Sequence, residues 1–221
     1  MYKIVKRGID VLLSFVGLVI MSPVIVIVAV LIKVESKGPI IFKQKRIGLS
    51  GKVFDIYKFR SMCEGAESKG SGVYSNKNDA RVTKVGKIIR ITSIDELPQF
   101  FNIIKGDMSL IGPRPVLTYH PWDYSEYTSE QLKRFSVRPG VTGLAQINGR
   151  KELEWNRRIE YDVEYTEKLS FLFDVKIFFN TIIKVLTLSD NENIGVTVNT
   201  NSNLETENFQ EDTALVEGGI K

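Results

Sequence analysis

Two adjacent carboxylates, Asp95 and Glu96, are the residues of this sequence best suited to chemistry. They belong to residues 90–116, which continue through an apolar run to the turn Gly112-Pro113-Arg114-Pro115. Prolines on both sides of Arg114 restrict the backbone around it. An acidic pair followed by a guanidinium on a stiff loop can hold a metal ion, an anionic phosphate and a nucleophile together.

The same acidic pair also fits a purely structural interpretation, the start of a helix. Ser93 and Glu96 have the spacing of a capping box, and acids in a first turn complement the helix dipole. In a helix that starts at Asp95, Pro98 lies early, where its missing N–H costs little. Spacing alone leaves the helix cap and the reactive site as alternatives.

The composition points to a reducing compartment and an anionic partner. The 221 residues contain one cysteine and one histidine, so neither an internal disulfide nor a His-rich metal site is expected. Residues 190–221 hold seven acids and one base, which leaves a net charge of +10 on the preceding residues. A basic body favours nucleic acid, a phospholipid surface or a phosphorylated substrate.

The N-terminal segment is apolar enough to enter a membrane. Residues 11–32 run for 22 positions without a charge, enough to cross a bilayer core as a helix. Ser22 and Pro23 fall inside this run, and proline kinks a helix. Basic residues flank both ends, which places both ends in the cytoplasm. A re-entrant helix that bends at Ser22 and Pro23 satisfies both facts, and a straight span with a mild kink is the alternative.

Two short strands are predicted next, at residues 40–46 and 53–60, joined by a hairpin turn at residues 48–51. Side chains alternate between the two faces of a strand, so Lys58 and Arg60 share one face. Two bases on one face suit phosphate binding. Solvated charges on an edge strand are the alternative.

The C-terminal half combines a glycine-rich loop with apolar helices. Residues 138–150 contain three glycines, and glycines let backbone amides approach a phosphate closely. Residues 152–188 are predicted as one or two helices, whose wide apolar face suits either a protein core or a membrane interface. Residues 190–221 are polar and acidic, typical of a disordered tail.

Several motifs follow one another in an informative order. They are Lys6-Arg7 with Asp10, the apolar helix broken at Ser22-Pro23, Phe42-Lys43-Gln44-Lys45-Arg46-Ile47-Gly48, Tyr57-Lys58-Phe59-Arg60-Ser61-Met62, Ser93-Ile94-Asp95-Glu96-Leu97-Pro98-Gln99, Gly112-Pro113-Arg114-Pro115 and Arg138-Pro139-Gly140-Val141-Thr142-Gly143. Over residues 1 to about 188 this series resembles the bacterial sugar transferase family, the small monotopic phosphoglycosyl transferases. Larger members carry an additional multi-span membrane region, and this chain is expected to be the minimal catalytic form.

The resemblance implies a mainly helical α+β fold in a monotopic membrane protein, with an N-terminal broken (re-entrant) membrane helix, a small β-hairpin and interfacial amphipathic helices. Three regions are expected. Residues 1–36 form the membrane-embedded helix, residues 37–188 the catalytic domain on the cytoplasmic face of the inner membrane, and residues 189–221 a disordered acidic tail.

The resemblance also implies an activity. Such enzymes move a sugar-1-phosphate from a UDP-sugar to undecaprenyl (polyprenyl) phosphate with Mg²⁺ and release UMP, which starts capsule, exopolysaccharide or glycoprotein glycan assembly. The expected partners are the UDP-sugar, the polyprenyl phosphate, membrane phospholipid and other glycan-assembly enzymes. Nucleic acid is not expected, because the sequence has no recognisable nucleic-acid-binding motif. A membrane-anchored scaffold without catalytic activity is the alternative.

The matching motifs assign roles to individual residues. Asp95 matches the nucleophile that becomes covalently phosphorylated and that helps to bind Mg²⁺, and Glu96 matches its catalytic partner. Arg114 matches the arginine associated with the nucleotide end of the substrate. The remaining substrate-binding candidates are polar or basic residues of the matching segments: Lys58, Arg60, Arg90, Arg138, Gln146 and Arg150. A carboxylate can attack phosphorus once the negative charge of its target is neutralised.

Overall fold

Residues 2–66, 79–149 and 153–187, the part of the chain that the computed structural model describes, are mostly helical with two small sheets. The elements follow in the order α1 (Tyr2–Glu35), β1 (Ile41–Ile47), β2 (Val53–Phe59), α2 (Lys84–Ile91), α3 (Gln99–Lys105), β3 (Ser109–Ile111), β4 (Val116–Leu117), α4 (Ser129–Leu132), β5 (Gly140–Thr142), α5 (Leu144–Ile147), α6 (Trp155–Glu167) and α7 (Phe171–Leu186). The predicted mainly helical class with one long apolar N-terminal helix is confirmed. The predicted acidic tail lies outside the described residues.

The predicted hairpin forms the main sheet. β1 and β2 pair antiparallel from Ile41 opposite Phe59 to Ile47 opposite Val53, and β4 pairs with the other side of β1. The second sheet pairs β3 with β5 in parallel. β2 and α3 both contribute to one buried apolar cluster, through Ile56 and Ile103 among others. The hairpin therefore packs against the segment that carries the acidic pair.

The N-terminal end of α1 is held to the rest of the protein by polar contacts. Arg7 donates hydrogen bonds to the carbonyls of Ile103 (2.6 Å) and Ile104 (3.0 Å), at the C-terminal end of α3. Asp10 is buried and accepts a hydrogen bond from the Ser109 hydroxyl at 2.7 Å. Arg7 and Asp10 thus fix this end of α1 to α3 and β3.

The C-terminal end of α1 contacts the same body. Ile32 belongs to a buried cluster with Phe59 of β2 and Ile89 of α2. Glu35 accepts a hydrogen bond from the backbone amide of Lys84 at 2.7 Å, the first residue of α2. Both ends of α1 therefore rest on one folded unit.

The predicted break lies at Ser22 and Pro23, in the middle of α1. The helix continues through Pro23 without a change of secondary structure, and the Ser22 hydroxyl donates to the Val19 carbonyl at 2.8 Å. By length and composition α1 is able to cross a membrane, and within the described residues only Asp10, Ser14, Val28 and Ile32 of this helix are buried. The re-entrant bend at Ser22 and Pro23 stays a prediction.

The predicted capping box at Ser93 is wrong. Ser93 adopts a left-handed conformation (φ 58°, ψ 15°) and makes no side-chain capping hydrogen bond. It follows the last residues of α2 and turns the chain, a use of the left-handed region that is common after helix ends. Residues Ile94–Glu96 then form a short 3₁₀ turn, and α3 starts only at Gln99, after Pro98. The acidic pair therefore lies on a tight turn before the helix, and the prediction of a helix that starts at Asp95 is wrong.

The predicted apolar C-terminal segment forms two helices, α6 and α7. On α7, Ile177 is fully buried, whereas large apolar side chains elsewhere on the helix are exposed: Phe171, Leu172, Phe178, Phe179, Ile182 and Ile183. The helix serves as a core element on one side and presents an apolar surface on the other. Exposed apolar patches of this kind mark lipid or protein contacts.

Candidate active site

The acidic pair meets the end of β2. Lys58, the last but one residue of β2, places its Nζ 2.6 Å from Glu96 Oε1. The side chains of both residues are about one-fifth exposed, at 20% and 22%. The contact joins residues 38 positions apart. The 3₁₀ turn is thereby fixed against the sheet, with a lysine beside its acids.

Asp95 lies among four charged groups. Burial raises the pKa of Asp95 above its ordinary value, and the neighbouring Glu96 carboxylate adds to the rise. The charges of Lys58, Arg90 and Arg114 act against this and lower the pKa of Asp95, with Lys58 the strongest of the three. Within the described residues, no hydrogen bond or ion pair occupies the Asp95 carboxylate. Asp95 is therefore a poorly solvated carboxylate with three cations around it and with its oxygens not engaged by the described part of the chain.

Arg114, in the turn Gly112-Pro113-Arg114-Pro115, lies close to the acidic pair. Its Nη2 lies 3.9 Å from Glu96 Oε1, and its side chain is 46% exposed. The predicted rigid turn is packed against β5, because the Gly112 amide donates to the Thr142 carbonyl at 2.9 Å. A guanidinium with a fixed backbone and an exposed tip is well placed to bind an incoming anion.

The glycines of residues 138–150 have a packing role that the sequence analysis did not predict. A Cβ on Gly140 would lie 2.1 Å from the Gly112 amide nitrogen, and one on Gly143 would lie 2.1 Å from the Gly112 carbonyl oxygen. Only glycine permits this approach of the two backbones. The Gly140 amide donates to the Pro113 carbonyl at 2.8 Å, so it supports the turn that carries Arg114.

Arg60 does not join the site, contrary to the prediction that it shares a phosphate-binding face with Lys58. It follows the end of β2, is buried, and donates to the carbonyls of Lys37 (2.6 Å) and Ser36 (2.8 Å). These carbonyls follow the C-terminal end of α1, where backbone acceptors lack partners within the helix. Arg60 therefore fastens the end of α1 to the sheet.

Arg138 also binds a helix end. Its Nε donates to the Gly106 carbonyl at 2.9 Å, next to the C-terminal end of α3 where Arg7 binds. The acidic pair precedes the other end of α3, so Arg138 is separated from it by the length of the helix. Arg138 therefore does not join the acidic pair, and its role in substrate binding stays a prediction.

Gln146 and Arg150 complete the predicted set. Gln146 lies on α5, is 6% exposed, and its amide makes no hydrogen bond within the described residues. The structure thus gives it no contact with the acidic pair. Arg150 lies outside the described residues. Of the predicted residues, five are brought together: Asp95, Glu96, Lys58, Arg90 and Arg114.

The acidic pair fits one kind of metal site better than others. Over residues 2–66, 79–149 and 153–187 there is no group of three or more His, Cys, Asp or Glu side chains able to hold a metal ion on its own. Mg²⁺ is usually bound by one or two carboxylates together with substrate phosphate oxygens. Asp95 of this pair fits that role, with a phosphorylated substrate supplying the other ligands.

The chain matches a known family along most of its length. A family model described as bacterial sugar transferase matches residues 1–188. The chain belongs to the bacterial sugar transferase family. This match includes every element that builds the site, from α1 to the end of α7.

Named relatives of this bacterial sugar transferase act on undecaprenyl phosphate. It is 45% identical over 184 residues to the UDP-glucose:undecaprenyl-phosphate glucose-1-phosphate transferase of Klebsiella pneumoniae, over 81% of this chain and 39% of the relative. It is 44% identical over 189 residues to the UDP-N-acetylgalactosamine-undecaprenyl-phosphate N-acetylgalactosaminephosphotransferase of Aeromonas hydrophila, over 84% of this chain and 44% of the relative. The match thus spans about two fifths of these two relatives.

A third relative has a similar length. The uncharacterized sugar transferase EpsL of Bacillus subtilis is 44% identical over 184 residues, which cover 83% of this chain and 88% of that protein. The family domain is thus found both in longer proteins and in a protein of about this size.

One feature of the site was not predicted from the sequence. Arg134 and Asp162 form a buried ion pair directly behind Arg114, with Arg134 Nη2 2.5 Å from Asp162 Oδ2. Asp162 follows Ile159 and precedes Val163, both buried, so an acid falls on the apolar stripe of α6. An acidic residue among the apolar positions of a helix indicates a buried polar contact, and this signal could have been found in the sequence.

Proposed function

We propose that this protein transfers a sugar-1-phosphate from a UDP-sugar to undecaprenyl or another polyprenyl phosphate and releases UMP. The observation that carries the proposal is the partly buried acidic pair, Asp95 and Glu96, set among Lys58, Arg90 and Arg114. The names of the relatives supply the class of donor and acceptor. The reaction is the first membrane step of capsule, exopolysaccharide or glycoprotein glycan assembly.

The reaction has two displacements at one phosphorus atom. A carboxylate oxygen of Asp95 attacks the β-phosphorus of the UDP-sugar, the bond from that phosphorus to the oxygen of UMP breaks, and UMP leaves with the electron pair. A phosphate oxygen of the polyprenyl phosphate then attacks the same phosphorus, and the bond to Asp95 breaks. This restores the carboxylate and yields the lipid diphosphate sugar. Splitting a transfer into two such steps is the usual benefit of a covalent nucleophile.

The neighbouring side chains prepare both steps. Lys58 and Arg90 neutralise phosphate charge beside Asp95, and Arg114 binds the donor from the solvent side. Glu96, held by Lys58, orients the acceptor phosphate or accepts its proton. Asp95 would help to hold Mg²⁺, which when bound supplies further neutralisation of the pyrophosphate charge.

The contacts of α1 support a monotopic placement with the active site on the cytoplasmic face. Asp10 and Ile32 both contact the folded body, and along an α-helix they are about 33 Å apart. A straight span places these two positions on opposite sides of a hydrocarbon core of about 30 Å. Contact of one body with both positions therefore supports a helix that enters and leaves by the same leaflet, and we propose that Ser22 and Pro23 lie at the bend.

Protease protection in intact cells tests this topology. We expect tags at Met1 and at Lys221 both to be protected from an external protease, while a periplasmic reporter in the same cells is digested. Digestion of one tag alone would contradict the re-entrant placement. Pro23→Ala restores a backbone donor inside α1 and is expected to shift part of the population towards a full span. That shift would appear as partial digestion of the Met1 tag.

The pH dependence of the first step tests the environment of Asp95. Only the ionised carboxylate attacks, so kcat/KM falls as pH drops through the pKa of Asp95, which burial raises. The acid limb is therefore expected above the ordinary carboxyl range. Lys58→Met removes the strongest cation that lowers this pKa and moves the limb to higher pH. Lys45→Met, an exposed change in the same hairpin, leaves the limb in place.

Coupled UMP release tests the function itself. With purified protein in nanodiscs, UMP release at steady state should require UDP-sugar, polyprenyl phosphate and Mg²⁺ together, and a panel of UDP-sugars identifies the donor. The alternative, a membrane-anchored scaffold, predicts no UMP with any donor and indifference to changes at Asp95 and Arg114.

A further inference from the structure

The turn that carries Arg114 is held at three successive backbone carbonyls. The carbonyl oxygens of residues 113–115 accept hydrogen bonds from the Gly140 amide (2.8 Å), Arg134 Nη2 (2.9 Å) and Arg46 Nη1 (3.1 Å), in that order. Two of the three donors are arginine side chains from distant parts of the chain. The middle one binds the carbonyl of Arg114 itself.

Arg134 is in turn held by Asp162. The two side chains are 2% and 1% exposed, and their closest atoms are 2.5 Å apart. Burial raises the pKa of Asp162, and the charge and hydrogen bond of Arg134 act against this rise and lower it. The backbone carbonyl of Arg114 is therefore bound by an arginine that is itself held by a buried carboxylate.

A buried ion pair of this kind usually adds little to the free energy of unfolding. Removing two charges from water costs several kcal/mol per ion, and apolar replacements of similar volume are often neutral or stabilising. The pair has a specific geometric consequence instead. Arg134, held by Asp162, binds the backbone carbonyl of Arg114, and the Arg114 guanidinium lies 3.9 Å from Glu96. The Arg114 side chain is 46% exposed and extends from this turn, so the position of its backbone determines where the guanidinium can reach.

We propose that Arg134 and Asp162 are positioning residues that act through Arg114. They hold its backbone so that its guanidinium meets the phosphates of the donor beside Asp95 and Glu96. The inference rests on the proposed function. It adds a pair of residues, distant in sequence, whose effect on the reaction is transmitted by one hydrogen-bonded turn. A displacement of about 1 Å at such a contact can cost about 100-fold in rate.

The double variant Arg134→Met/Asp162→Leu separates positioning from folding. It replaces the buried pair by apolar side chains, so the melting temperature should stay within a few degrees of wild type. We expect kcat/KM for the UDP-sugar to fall about 10- to 100-fold, with the KM for polyprenyl phosphate unchanged. The matched control is Arg157→Met/Glu160→Leu, an exposed ion pair on α6, which should leave all three quantities unchanged.

The decisive comparison repeats the double variant in an Arg114→Ala background. If the pair acts through Arg114, the added change lowers kcat/KM less than about 2-fold there, because the effects are not additive. Equal losses in both backgrounds would overturn the positioning role. Should the double variant fail to fold, Arg134→Lys, which keeps the charge opposite Asp162, takes its place in the same cycle. A wild-type protein that releases no UMP would overturn the proposed function. If the wild type is active but the losses caused by the double variant and by Arg114→Ala are additive, only the positioning role of Arg134 and Asp162 is overturned.

Discussion

An Asp95→Asn protein is expected to lose turnover on the order of 10⁴-fold or more, with no phosphosugar adduct. The amide keeps the shape of the side chain but lacks the anionic oxygen that forms the bond to phosphorus. The surrounding cations, Lys58, Arg90 and Arg114, are unchanged, so the donor can still bind. The measurement is UMP release at saturating donor and acceptor, together with the intact protein mass after exposure to the donor.

Asp95→Asn should not destabilise the fold, so the loss of turnover can be attributed to the chemistry of Asp95. Because the folded-state pKa of Asp95 is raised, the wild type loses stability as pH rises through that pKa, and a neutral side chain has no such loss. At neutral pH the Asp95→Asn protein should melt at the wild-type temperature or above. Retained turnover would contradict the nucleophile assignment, and a lower melting temperature would contradict the electrostatic description of the site.

A Glu96→Gln protein is expected to separate the two steps of the reaction. The first displacement should still proceed, because Asp95 and its neighbouring cations remain in place. The second displacement loses an acid-base group and the ion pair with Lys58, so kcat should fall on the order of 10²- to 10⁴-fold. Rapid-quench measurement should then show a burst of one UMP per protein, followed by slow release.

An exposed acid provides the control for this experiment. Glu130→Gln changes a solvent-facing carboxylate and should give wild-type turnover. A Glu96→Gln protein with no burst and equally slow first and second steps would assign Glu96 to the donor step, against the proposed division of roles.

Sequence patterns correctly predicted the secondary-structure elements whose formation depends on neighbouring residues. The hairpin of β1 and β2 and the two helices α6 and α7 follow from alternation, helical spacing and turn residues. The Ser93 prediction failed because two local uses of serine compete. Ser93 can cap a following helix, but it also comes directly after the C-terminal end of α2, where a left-handed residue often turns the chain. Ser93 adopts the left-handed conformation, and α3 begins only at Gln99.

The distribution of basic residues could not be predicted, because their partners are remote. Lys58 and Arg60 are two residues apart, yet Lys58 binds Glu96 whereas Arg60 binds the carbonyls that end α1. Arg138 likewise binds the end of α3. Backbone carbonyls at the C-terminal end of a helix lack partners within the helix and attract guanidinium groups, and phosphates also attract them. Sequence spacing identifies a base near a site but not which of these acceptors it meets.

The central claim is that Asp95 forms a covalent bond to the sugar phosphate before the acceptor arrives. The direct measurement is the intact mass of the protein after incubation with UDP-sugar and Mg²⁺ but without polyprenyl phosphate. We predict a mass increase of one sugar phosphate, one UMP released per protein, and a modified peptide that contains Asp95. An unmodified protein that releases UMP only when the acceptor is present would contradict the account and indicate direct transfer from donor to lipid.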